Sequence, residues 1–146
     1  MLKLLASLSL CLFATSATAS AQVLDVDQPS NGTALALFHQ TDLAQSFIPT
    51  KTSSSGGSIH FAAGFGVGGT FTIELWDALP NVPGASMLAT GSATATPGTW
   101  GDVFWPGVPV TPGLTYYMVY TCTDLGMAIT GDVSNPYSGG NVFANW

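Results

Sequence analysis

The chain has 146 residues, of which 47% are hydrophobic and 7% charged, and its formal net charge is −6. It contains no Arg, and its two Lys are Lys3 and Lys51. Disorder is excluded because it requires a shortage of apolar residues, nucleic-acid binding because it requires clustered Lys and Arg, and a coiled coil because Glu, Lys and Arg are nearly absent.

The first segment reads as an export signal. Lys3 gives a positive start, Leu4 to Ala14 is apolar apart from Ser7 and Ser9, and small residues follow at Ala17–Thr18–Ala19–Ser20–Ala21. That order is the charged, apolar, small-residue grammar of a secretory signal peptide. Cleavage after Ala19 or Ala21 satisfies it equally, and Ala21 is preferred, giving a signal over 1–21 and one domain over 22–146. The apolar run is too short for a membrane span, which needs about 20 residues. A lipoprotein anchor at Cys11 is rejected because Leu10 is too large for the preceding position. Cleavage leaves Lys51 against eight acids, a net charge of −7, and Cys122 as the lone thiol. An intramolecular disulfide is then excluded, and packing must hold the fold.

The rest reads as short strands between strong breakers. In chain order these are Val23–Val26, Ala34–His39, Gln45–Pro49, Ser58–Ala62, Thr70–Trp76, Met87–Ala93, Asp102–Trp105, Thr115–Cys122, Met127–Thr130 and Val142–Asn145. Ser30–Asn31–Gly32, Gly64 to Gly69, Leu79 to Gly84 and Asn135 to Gly140 separate several of them. Ser53 to Gly57 reads as a further loop. Many short strands at this spacing predict an all-β, antiparallel β-sandwich. Alternation within Thr70–Trp76 puts Phe71, Ile73 and Leu75 on the core face and Thr72, Glu74 and Trp76 on the other. In the later strand, Leu114, Tyr116, Met118, Tyr120 and Cys122 form the better core face, and Cys122 reads as a small buried hydrophobe.

Four motifs in order carry a resemblance. They are Ala44–Gln45–Ser46–Phe47, Gly69–Thr70–Phe71–Thr72–Ile73–Glu74–Leu75–Trp76, Val110–Thr111–Pro112–Gly113–Leu114–Thr115–Tyr116 and Asn135–Pro136–Tyr137–Ser138–Gly139–Gly140. Together they resemble secreted bacterial β-sandwich domains of the PEP-CTERM or choice-of-anchor type, over roughly 45–146. The resemblance implies a jelly-roll-like sandwich akin to carbohydrate-binding modules and implies no activity. No sorting tail of that type follows Trp146, so the expected mature protein is free in an extracytoplasmic space. The Pro-Gly-x-x-Tyr motif is also a tyrosine corner, which gives Tyr116 a structural role.

Catalytic patterns are weak. Glu74 is the only Glu, so a glycosidase pair of carboxylates would need an Asp that nothing marks out. His39 and His60 lie in no paired metal-ligand motif, and Gly64 to Gly69 lacks the Lys and helix of a phosphate loop. The expectation is a non-catalytic module without a required cofactor. Asp25 and Asp27 share a face of the expected first strand and are candidates for Ca²⁺, with Asp132, Asn135 or Asn141 as further oxygen donors. Trp76, with Glu74 and Thr72 beside it, is the candidate binding surface for a neutral glycan, since a ring covers sugar C–H groups while polar neighbours hydrogen-bond; the competing reading packs Trp76 under the Leu79 to Gly84 loop. Trp100, Trp105 and Tyr137 are further candidates. The alternative function is a structural or adhesive extracellular component with protein partners only.

Overall fold

The alternating strand with Phe71, Ile73 and Leu75 lies inside the largest sheet of the fold. A computed structural model describes residues 23–28, 32–134 and 137–146. The signal segment with its cleavage sites, the Ser30–Asn31 part of the first turn, and Asn135 and Pro136 lie outside the described residues. Among the described residues, nine strands follow in order: β1 Thr33–Leu37, β2 Leu43–Phe47, β3 Ser53–His60, β4 Gly69–Trp76, β5 Met87–Ala95, β6 Trp100–Pro109, β7 Tyr116–Cys122, β8 Ala128–Gly131 and β9 Val142–Phe143.

One layer is a five-stranded antiparallel sheet in the order β5-β4-β7-β2-β9. Facing it are two antiparallel pairs, β3–β6 and β1–β8, joined by a single bridge between Phe61 and Ile129. The described residues therefore form an all-β antiparallel sandwich. Phe71, Ile73 and Leu75 are buried between the layers, as the alternation predicts. Phe61 meets Phe71 edge-on, with ring centroids 5.1 Å apart. Each such side chain contributes roughly 1.5–3 kcal/mol by leaving water.

Several sequence expectations need correction. Val23–Val26 is no strand: the Asp25 carboxylate instead accepts hydrogen bonds from the backbone N–H groups of Thr50 (2.8 Å) and Lys51 (3.2 Å) and from the Thr50 hydroxyl. Ser53 to Gly57 is no loop but the first part of β3, paired with β6 from Ser53↔Pro109 to Gly57↔Val103. The small residues there serve packing. A Cβ on Gly57 would sit 3.0 Å from Met118 Sδ, so this strand crosses the core too closely for a side chain. Intrinsic β-propensity is overruled by that contact. Leu114 lies before β7 and is 56% exposed, so the core face of that strand starts at Tyr116. The Tyr116 hydroxyl accepts from Thr111 N–H at 3.0 Å, which is the tyrosine-corner contact. Cys122 is buried, and burial pushes its thiol above the ordinary range.

Candidate functional site

The outer face of the five-stranded sheet is defined by register. On β4, Thr72, Glu74 and Trp76 point away from the core residues with which they alternate. Trp76 pairs with Tyr117 and Glu74 with Val119 on β7. Tyr117 pairs with Ser46 and Val119 with Ala44 on β2, and Ala44 pairs in turn with Phe143 on β9. One face thus carries Trp76, Tyr117 and Phe143 across four adjacent strands.

Two features fix the shape of this strip. Ala44 and Ser46 are small and buried, so the rings on either side of β2 approach each other over them. Tyr117 and Phe143 stand with centroids 5.8 Å apart and planes inclined by 59°. The Ser46 hydroxyl accepts from Asn141 N–H at 2.9 Å, and Ser46 N–H donates to the Asn141 carbonyl at 2.9 Å, which holds the chain entering β9 against β2. At the other end, the Trp76 indole N–H donates to Glu74 Oε2 at 2.8 Å. That bond restrains the indole and directs a carboxylate edge along the strip. Thr72 shares a hydroxyl–hydroxyl contact of 2.8 Å with Ser92 on β5, extending the polar border. Trp76, Tyr117 and Phe143 are all partly buried, so each keeps some ring surface toward solvent.

The other sequence candidates fall elsewhere. Trp105 faces the core, is 7% exposed, and donates its indole N–H to the Ser54 carbonyl at 3.2 Å. Tyr137 packs on the core, and its hydroxyl accepts from Ile48 N–H at 3.0 Å, pinning the last turn to the end of β2. Trp100 is exposed on the opposite layer, its ring edge-on to His60 at 5.2 Å. His60 in turn shares a 2.8 Å hydrogen bond between Nδ1 and the Thr130 hydroxyl. Only Trp76, Glu74 and Thr72 come together. Asp25 is engaged by Thr50 and Lys51, and Asp27 does not share a strand face with it. Among the described residues no three His, Cys, Asp or Glu side chains converge as metal ligands.

Sequence reasoning missed Tyr117 and Phe143. Tyr117 lies on the β7 face opposite Tyr116 and Met118, and the alternation shows that much. Its position beside Trp76 and near Phe143 depends on strand order, which alternation does not encode. No family model, curated protein or solved structure matches the chain.

Proposed function

We propose that the chain is a non-catalytic extracellular module that binds neutral glycans on the outer face of its five-stranded sheet. The observation that carries this reading is the strip of Trp76, Tyr117 and Phe143, bordered by the Glu74 carboxylate and the Thr72 hydroxyl. Rings laid side by side offer apolar surface to the C–H faces of a sugar, and the polar border supplies hydrogen bonds. Strand spacing is about 4.8 Å, so four strands provide a platform for several consecutive sugar units. Charge selects among glycans: with two Lys and no Arg against eight acids, an anionic polysaccharide is repelled. The signal-like start of the sequence supports action outside the cytoplasm.

The test is retention of the protein in polysaccharide gels during native electrophoresis, with Trp76→Ala and Tyr117→Ala compared against the parent. Retention by a neutral polysaccharide that both substitutions abolish, with circular dichroism unchanged, supports the reading. Unchanged retention in both variants removes the strip. Self-association with no retention in any neutral gel supports the structural, protein-binding alternative instead.

A further inference from the structure

The second layer of the sandwich is split. β3 and β8 are joined at the Phe61–Ile129 bridge but form no ladder with each other beyond it. The gap between them opens onto the inner face of the five-stranded sheet as a cleft of about 850 Å³. Its floor includes Phe47, Met118 and Tyr120, and Ile129 and Leu35 line one side. Sites for small molecules typically measure about 300–1,000 Å³ and are mostly apolar with a few placed polar groups.

Two polar groups belong to this floor. Gln45 pairs with Met118, and so shares the inner face with Leu43 and Phe47 rather than the outer face with Ala44 and Ser46. A side-chain amide among core residues is costly unless it is hydrogen-bonded. Tyr120 is 6% exposed and also lines the cleft. Among the described residues, the buried side-chain polar atom left without a partner is Trp146 Nε1, so the Gln45 amide and the Tyr120 hydroxyl are not sealed in the core but available to the cleft that they line. Burial raises the Tyr120 hydroxyl far above its ordinary value, so it remains a neutral proton donor. Around the rim stand Asp25, Asp27 and Asp132, with Lys51 as the cation. Lys51 also offers its backbone N–H to Asp25.

We propose that this cleft is a second binding site, separate from the outer strip, for an uncharged and largely apolar small molecule bearing a hydroxyl, carbonyl or amine group. The apolar floor of Phe47 and Met118 and the side formed by Leu35 and Ile129 take the body of the ligand, and the Ser and Gly residues of β3 leave room for it. Gln45 and Tyr120 meet its polar group, which satisfies both. The acidic rim disfavours a carboxylate or sulfonate of the same size.

The test uses N-phenyl-1-naphthylamine, a neutral fluorophore with one N–H, and the anionic 8-anilinonaphthalene-1-sulfonate as its charged counterpart. The neutral probe is expected to saturate one site per chain, with energy transfer from Trp100, which also lines the cleft. The sulfonate should bind at least about tenfold more weakly, since charge contrast at a rim sets selectivity. Gln45→Leu and Tyr120→Phe should each weaken the neutral probe by about three- to tenfold, the effect of one hydrogen bond. Gln45→Leu should leave the melting temperature unchanged or raised, because it removes a polar group from a core face; lower affinity at undiminished stability separates a binding role from a structural one. Trp76→Ala should leave probe affinity unchanged, so failure of the glycan reading and failure of this one are distinguishable. Non-saturable uptake, equal affinity for the sulfonate, or affinity unaltered in both cleft variants overturns the proposal. So does a concentration-dependent dimer that excludes the probe, which would assign the gap to a second copy of the chain.

Discussion

The indole N–H of Trp76 donates to the carboxylate of Glu74, two positions earlier on the same strand, at 2.8 Å. Residues at i and i+2 of a strand share a face, so the bond joins the ring of the outer strip to its only carboxylate border on β4. Glu74 therefore positions Trp76. Glu74→Ala should leave the fold intact and cost no more than about 1 kcal/mol of stability, as for a hydrogen bond at a partly exposed site. Glycan retention in the gel assay should fall several-fold, and Trp fluorescence should become more readily quenched by acrylamide. Glu74→Gln keeps an acceptor oxygen and should retain more binding than the Ala variant.

Phe71 is 1% exposed and packs edge-on to Phe61 within the core. Truncation to Ala leaves a cavity, and Phe71→Ala should cost about 3–5 kcal/mol in denaturant unfolding. Phe104, 65% exposed on β6, is the control: Phe104→Ala should change stability by less than about 0.5 kcal/mol. A loss under about 1 kcal/mol at Phe71 would put that side chain on the surface and invert the facing of β4, since a one-residue slip flips every side chain of a strand.

Period-two alternation is a local property, so the inward set Phe71, Ile73 and Leu75 is legible in the order of residues alone. The same holds for Trp76 and Glu74 on the opposite face. Strand order is not local. That β4 lies beside β7, and β7 beside β2, comes from long-range pairing, and only this places Tyr117 and Phe143 with Trp76. Ser53 to Gly57 shows the reverse problem. Its composition is that of a loop, yet the chain extends there because small residues fit against Met118 and β6. Trp105 and Tyr137 illustrate a third limit. An aromatic residue with a polar atom suits either a binding surface or a buried hydrogen bond, and here Ser54 and Ile48 decide for the latter.

Tyr116 supplies a test of the corner. Its hydroxyl accepts the Thr111 N–H at 3.0 Å, and the ring is buried at the start of β7. Tyr116→Phe keeps the ring and leaves that N–H without its acceptor. The expected loss is about 0.5–1.5 kcal/mol, the net worth of one hydrogen bond, because Thr111 is exposed and its N–H can turn to water instead. Hydrogen exchange at Thr111 should accelerate in the variant, while exchange in β3 stays as it was.

Asp124 ties two loops together and makes that tie pH-dependent. Its Oδ2 accepts from Val67 N–H at 2.7 Å and Gly68 N–H at 3.2 Å, and its Oδ1 accepts from Gly126 N–H at 2.9 Å. The bonds from Val67 and Gly126 are the main causes that hold the carboxyl below its ordinary value of 3.8, and they outweigh the small opposing effect of desolvation. A carboxylate whose pKa is lowered by folding binds its proton more readily in the unfolded chain. Its contribution to stability is therefore complete above the ordinary carboxylate value and is lost as pH falls through it toward the lower folded value. Amide exchange at Val67 and Gly68, corrected for the intrinsic pH dependence of exchange, should accelerate as pH drops below about 4. Asp124→Asn removes the charge at every pH, so these amides should be less protected at neutral pH and show no further loss of protection in acid. An unaltered acid response in Asp124→Asn would assign the loop's pH dependence to a different carboxylate.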